Sequence, residues 1–174
     1  HPPFCLICSR HLTIFNEQGL CVSCLNTQHH LDVAWSACLY QEPLSELIHA
    51  FKYFGKTSLR KTFAQLMIQF IDTYHLPIHD FDIMIPMALH PARLRERGYN
   101  QAELLSLLIA QHYHLNHATN ILKRSKNTQS QSMLDSKQRF TNVNEAFKIE
   151  NSLRKKKKNI LIVDDLLTTT STVN

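Results

Sequence analysis

An α/β domain built on a parallel sheet, preceded by a small metal-stapled module and by helices, is the fold class that this sequence predicts. Three observations carry it. Residues 160–163, Ile-Leu-Ile-Val, are an apolar run without alternation, the pattern of a parallel strand covered on both faces. That run meets Asp164-Asp165 and then a hydroxyl block, Thr168, Thr169, Thr170, Ser171 and Thr172. An α/β sheet opens its ligand crevice at such a carboxyl end. Finally, four of the five cysteines stand near the start as Cys5-x-x-Cys8 and Cys21-x-x-Cys24.

Each cysteine pair brackets a tight knuckle that can aim two thiolates at one ion, and two knuckles complete a tetrahedral Cys₄ site. Gly19 ahead of the second pair leaves room for its turn. A segment of about thirty residues has too little core to fold alone, so a structural Zn²⁺ is expected to hold residues 1–30, contributing on the order of 10 kcal/mol. Iron and a pair of disulfides are the alternatives, the latter disfavoured in a reducing cytosol. Four protein thiolates leave no position for water, which makes the role structural. Cys38 lies outside the spacing and is expected to be a buried or half-buried thiol.

Residues 31–174 form the second predicted domain. Pro43 can start a helix whose apolar positions are Leu44, Leu47, Ile48, Phe51 and Phe54, with Gly55 ending it. Ser58 can cap the next, with Leu59, Phe63, Leu66, Met67, Phe70, Ile71 and Tyr74 as its buried face. A strand over 81–85 runs into Pro86. The following loop carries Arg93, Arg95 and Arg97, planar forks suited to phosphate oxygens, and Gly98, where the backbone can come close to a ligand. Asn100 and Gln101 then open a helix that buries Leu104, Leu105, Leu108 and Ile109. A third strand is expected over 118–122, followed by a polar, unpacked segment and finally the strand over 160–163.

The formal net charge is +5, but residues 154–158 alone carry five positive charges, so the remainder is neutral. The basicity is one local run, read as a solvated loop entering the last strand rather than a dedicated nucleic-acid surface. No apolar stretch is long enough to span a bilayer, and the start does not resemble a secretion signal; a cytoplasmic location is the expectation. The chain opens at His1 and stops at Asn174, where a phosphate loop should become a helix, so it reads as a fragment or a truncated gene product. Among His112, His114 and His117, His112 and His114 would face different sides of a helix and no carboxylate or cysteine stands close by in sequence, which favours surface or helix-end histidines over a second metal site.

The segment 159–172 closely resembles the PRPP-binding signature of type I phosphoribosyltransferases: an apolar strand, Asp-Asp, two variable residues and a Thr-rich turn. Three further segments narrow the resemblance to the ComF/GntX family. Phe51-Lys52-Tyr53 followed by Gly55 is similar to a recurring element there, in which Lys52 could reach a phosphate. His90, Arg93 and Arg97-Gly98-Tyr99-Asn100-Gln101 match a second element, and Arg124, Gln131, Arg139, Asn142, Asn144, Ala146 and Phe147 a third. The chain departs from the pattern at Thr170, where family members carry glycine for close approach to a phosphate.

The resemblance implies a type I phosphoribosyltransferase-like α/β domain with a parallel sheet, an N-terminal zinc module and a flap over the site. It implies PRPP, or a related phosphorylated ligand, bound with Mg²⁺. Asp164 and Asp165 would serve the ribose hydroxyls and metal, residues Thr168, Thr169, Thr170, Ser171 and Thr172 the 5′-phosphate, and Arg93 and Arg97 the pyrophosphate. The associated chemistry is displacement of pyrophosphate from C1 by a nitrogen nucleophile; whether this chain catalyses it is left open by Thr170 and by the missing helix. The family's link to competence implies a second reading, a non-enzymatic accessory of natural transformation that binds single-stranded DNA beside a competence ATPase or helicase.

Overall fold

The computed structural model describes residues 4–13, 17–26, 31–125, 147–149 and 158–167. Its organising element is a parallel pair, β1 (Ile83–Pro86) beside β4 (Ile160–Val163), in register from Ile83 opposite Ile160 to Pro86 opposite Val163. All four residues of β1 are buried, as the absence of alternation requires. The start of the pair is pinned by polar contacts. The Asn159 amide donates to Asp82 Oδ2 at 2.8 Å, and the Asp82 amide to the Asn159 carbonyl at 2.9 Å. At the other end the Met87 amide donates to the Val163 carbonyl at 2.8 Å, so both chains leave the sheet side by side.

On the opposite edge of β1, Met84 bridges His117 in parallel sense. The expected strand over 118–122 is thus displaced: the chain touches β1 at 116–118 and then forms β2 (Leu122–Arg124), antiparallel to β3 (Phe147–Ile149). Burial divides the segment, because Ile121 packs with Ile83 and Ile85 whereas Lys123 faces solvent. His117 is not a surface histidine. Its Nε2 lies 2.8 Å from the Oγ of Ser106, a fully buried hydroxyl, and burial lowers the imidazole pKa against the opposing charge of Glu103. His114 does end its helix, at φ +55°.

Helix α5 (Gln101–Tyr113) lies on the sheet, α3 (Leu59–Thr73) packs on α5, and α2 (Leu44–Tyr53) packs on α3. Helix α5 packs on both α3 and β1, and the main core unites Ile48, Phe51, Phe63, Ile68, Ile71, Met84, Leu105, Ile109 and Val163. Three sequence expectations fail here, the first being Tyr74, which was expected on the buried face of α3 and is exposed just past its last turn. Leu47 and Phe54 are exposed, since α2 presents only Ile48 and Phe51 to the core and Phe54 falls past its last turn. Ser58 makes no side-chain cap, because its own backbone is already helical (φ −59°, ψ −28°) and its hydroxyl cannot turn back over the first amides.

The cysteine segment is a separate small cluster of Cys5, Leu12, Cys21 and Cys24. Helix α1 (Val22–Leu25) carries Cys24. The segment is nonetheless fastened to the rest, since Phe4 lies 5.4 Å from Phe70 and 5.3 Å from Tyr74, ring centre to ring centre. The Ala34 amide also returns to the Leu6 carbonyl at 3.1 Å, and the Ser36 amide to Ser9 Oγ at 2.7 Å. Cys38, expected to be at least half-buried, is exposed, because residues 37–41 run over the surface between the two units. Among the described residues no helix is long and apolar enough to cross a membrane.

Candidate functional site

Two constellations carry chemistry. In the first, the sulfurs of Cys5, Cys8, Cys21 and Cys24 all lie within 4.8 Å of one another. The knuckles explain the convergence. The Cys5 amide donates to the Arg10 carbonyl at 2.7 Å and the Ser9 amide back to the Cys5 carbonyl at 2.8 Å, a turn that places Ser9 at φ +60°. Gly19, at φ +65°, supplies the corresponding bend before the second pair. The Cys21 amide points at Cys5 Sγ, 3.3 Å away, and the thiols are free rather than bridged, with Cys8 and Cys21 sulfurs 3.7 Å apart. Burial raises the Cys5 thiol, but amides of Cys21, Cys8 and Ile7 outweigh it and hold the pKa at about 7. Burial pushes Cys8 and Cys24 upward, and crowding by the other sulfurs adds to the Cys24 shift. This donor set can hold a metal such as zinc.

The second constellation stands where β1 and β4 end. Asp164 and Asp165 follow Val163, and Asp165 Oδ1 accepts an ion pair from Lys52 Nζ at 2.9 Å. The Asp165 amide donates to Asp164 Oδ1 at 2.9 Å. Burial pushes the Asp164 carboxyl up to about 7, the Asp165 charge adds to the shift, and the Asp165 amide and the Lys52 ammonium oppose it. Arg124, at the end of β2, is held below the ordinary guanidinium range by burial, countered by the Asp164 charge and reinforced by repulsion from Arg93. Arg124 is therefore within electrostatic reach of both a predicted acid and a predicted arginine. Its guanidinium also covers the Phe147 ring, 5.4 Å from the centroid.

The arginine segment is not a simple loop. Residues Pro91–Arg97 form helix α4, capped by His90, whose Nδ1 accepts from the Ala92 amide at 3.2 Å, with Pro91 in the first turn and Gly98 ending it at φ +82°. His-Pro before and Gly after were the legible signals of this helix. Nothing lies within 4 Å of where a Cβ on Gly98 would sit, so the glycine serves the left-handed turn rather than a close approach. Arg93 pairs with Glu96 at 2.8 Å on the exposed face. Arg97 instead turns inward: Nη1 donates to Gln101 Oε1 at 2.6 Å, and the guanidinium stands 5.2 Å from the Tyr53 ring centre.

The end of α2 joins these parts. Lys52 reaches Asp165, the Phe51 carbonyl accepts from the Tyr99 hydroxyl, and Tyr53 lies under Arg97. Asn100 caps α5 through its Oδ1 and donates to the Met87 carbonyl at 3.0 Å, holding the start of α5 against the end of β1. Of the predicted site residues, Asp164 and Asp165 are adjacent to Lys52 and Arg124, Arg93 and Arg97 lie on one short helix with opposite orientations, and Thr168, Thr169, Thr170, Ser171 and Thr172 lie outside the described residues. So do the flap positions from Gln131 to Ala146 and residues 154–157 of the basic run. Sequence reasoning left Lys52 at the margin and gave Arg124 no charge partner. Asp165 Oδ2 and Gln101 Nε2 are buried and have no hydrogen-bond partner among the described residues. An orphaned acceptor beside an ionised pair is a position that suits a cation.

The chain is similar to Competence protein F of Haemophilus influenzae, 32% identical over 151 residues, covering 84% of this chain and 64% of that protein. It therefore spans a little under two thirds of that relative's length. DNA utilization protein YhgH is 28% identical in Shigella flexneri and 27% identical in Escherichia coli K12, each over 170 residues covering 86% of this chain and 72% of the relative. No family model and no solved structure matches the chain. The likeness to proteins of these names supports the resemblance to the ComF family seen in the aromatic-Lys-Tyr, Arg-Gly-Tyr-Asn-Gln and Asp-Asp segments.

Proposed function

We propose that this chain is a ComF-like member of the phosphoribosyltransferase-related proteins, that it binds PRPP or a related phosphorylated sugar with Mg²⁺, and that it works in competence and DNA uptake. The observation that carries the binding reading is the convergence of Asp164, Asp165, Lys52 and Arg124 at the carboxyl ends of two parallel strands. Carboxylates there can take vicinal hydroxyls or a divalent ion, and flanking cations can neutralise a diphosphate. Asp165 Oδ2 is the unsatisfied oxygen best placed to hold the ion. Arg93 is assigned to the pyrophosphate side, and the hydroxyls of residues 168–172 to the 5′-phosphate. Arg97, engaged by Gln101 and Tyr53, would act by ordering the turn unless ligand draws it out. The cysteine cluster is assigned a structural Zn²⁺, whose four thiolates leave no open position. The association with DNA uptake comes from the names of the similar proteins.

The second reading, a DNA-binding accessory without catalysis, is favoured by one observation. Tyr53 and Phe54 are 56% and 67% exposed, His49 packs against both, and Arg97 stands on Tyr53, an aromatic and cationic patch of the kind on which bases stack. Calorimetry separates the two. Saturable PRPP binding that requires Mg²⁺ and is abolished by Asp164→Asn supports the first reading. Silence with PRPP, together with single-stranded DNA binding that falls steeply across a salt series, would replace it with the second.

A further inference from the structure

We propose that Lys52 is a displaceable internal counter-ion: its ammonium fills the cation position of the Asp164-Asp165 pair and excludes a bare divalent ion until a phosphorylated ligand draws it away. The inference rests on the phosphorylated-sugar reading of this site and adds an order of binding to it.

The geometry is specific. Lys52 Nζ stands 2.9 Å from Asp165 Oδ1, and the two side chains are only 19% and 10% exposed. A carboxylate so far removed from water needs its remaining lone pairs satisfied, yet Asp165 Oδ2 has no partner among the described residues. A purely structural pair would be expected to saturate both oxygens. One ammonium on one oxygen leaves a half-filled acceptor site, as a temporary occupant does.

The backbone around Lys52 is fixed by its neighbours, and among the described residues only the ion pair with Asp165 holds its head group. Phe51 is fully buried, its carbonyl accepts from Tyr99, and Tyr53 is held against Arg97. The Lys52 stem, four methylenes long, can therefore swing without moving the helix. An arriving diphosphate offers the ammonium several anionic oxygens in place of one, and Arg124, already within reach of Asp164, shares that anion. Asp165 is then released to the cation that the ligand carries. A bare divalent ion brings no such anion, so it must settle on a carboxylate that the Lys52 ammonium already neutralises and is repelled by that charge.

The test uses the full chain loaded with zinc and Mn²⁺ as the probe, with free Mn²⁺ counted by electron paramagnetic resonance. Lys52→Met should bind Mn²⁺ at least about tenfold more tightly than the unaltered chain in the absence of ligand. Lys52→Arg, which keeps the charge, should not. Adding Asp165→Asn to Lys52→Met should abolish the gain. Should Lys52→Met fail to fold by circular dichroism, Lys52→Gln serves in its place. Unchanged or weaker Mn²⁺ binding in the folded neutral variant overturns the proposal, even where PRPP still binds. A gain in Mn²⁺ affinity with no PRPP binding by the unaltered chain would uphold the counter-ion and remove the phosphoribosyl reading alone.

Discussion

The cysteine module and the acidic cluster are both polar constellations in a mainly apolar frame, but they are assembled in opposite ways. The module draws its four thiols from Cys5 to Cys24, and two local turns bring them together. The acidic cluster draws Lys52, Arg124 and Asp164-Asp165 from segments separated by most of the chain. Short loops cost little entropy to close, so the module can be organised by an ion alone. The residues of the acidic cluster meet only because α2, β1 and β4 share a core through Phe51, Met84 and Val163. The lesson is that the two sites should be vulnerable to different substitutions: one to the loss of a ligand, the other to the loss of a buried hydrocarbon far from any ligand.

The comparison can be broken most sharply with Cys8→Ser. Metal analysis should show the zinc content falling from about one ion per chain to near zero, with the loss of on the order of 10 kcal/mol of metal-linked stability in residues 4–26. PRPP affinity should change little, because the module meets the larger unit chiefly through Phe4 on Phe70 and Tyr74. Metal loss accompanied by abolished PRPP binding would show the two regions to be one cooperative unit.

Phe51→Ala is the reciprocal experiment. Its ring is fully buried against Phe63 and Tyr99, so a urea melt should reveal destabilisation of about 3–5 kcal/mol. Zinc content should be retained while ligand affinity falls, since Phe51 sets the backbone on which Lys52 stands.

Asp164→Asn should act with the opposite sign on stability. The folded-state carboxyl is pushed up to about 7 by burial, above its ordinary value, so the folded form holds a proton that the unfolded form has lost. Stability of the unaltered chain should then decline as pH rises from about 4 through 7. The variant should lose that slope and be the more stable of the two at pH 8, which urea melts across pH would check. A flat profile in the unaltered chain would show Asp164 to be well solvated or already neutralised.

The smallest effect is expected for Glu96→Gln. The pair with Arg93 is exposed on both sides, and melting should shift by less than about 0.5 kcal/mol. A larger loss would mean that α4 depends on that pair rather than on its His90 cap and Gly98 stop.

Legibility followed the range of the contacts. Strand β4 was readable to its boundaries, because four consecutive apolar residues have few other uses, and β1 was displaced by two residues because Phe81 packs on Trp35 outside the sheet. Helix α5 was readable from its leucine spacing, with Asn100 expected in the first turn and found as the cap, whereas the buried Ser106 was not, since its partner His117 arrives from beyond the helix end. Helix α4 went unread although its punctuation was present, because seven residues with three arginines and no buried side chain carry no periodic signal. The antiparallel partner of β2 could not be read either, for residues 122–124 and 147–149 are three-residue stretches with ordinary composition.

By itself the sequence determined the Cys₄ cluster, the apolar strand ahead of Asp164-Asp165 and the helices that flank them, because knuckle spacing, hydrophobic runs and helix caps act over a few residues. Only the tertiary structure decided that Lys52 would neutralise Asp165, that Arg124 would lie near Asp164, and that Arg97 would turn toward Tyr53 and Gln101. Those choices depend on how α2 seats against the sheet end. That seating is a matter of core packing, in which burial, rather than any motif, sets which charges must face one another.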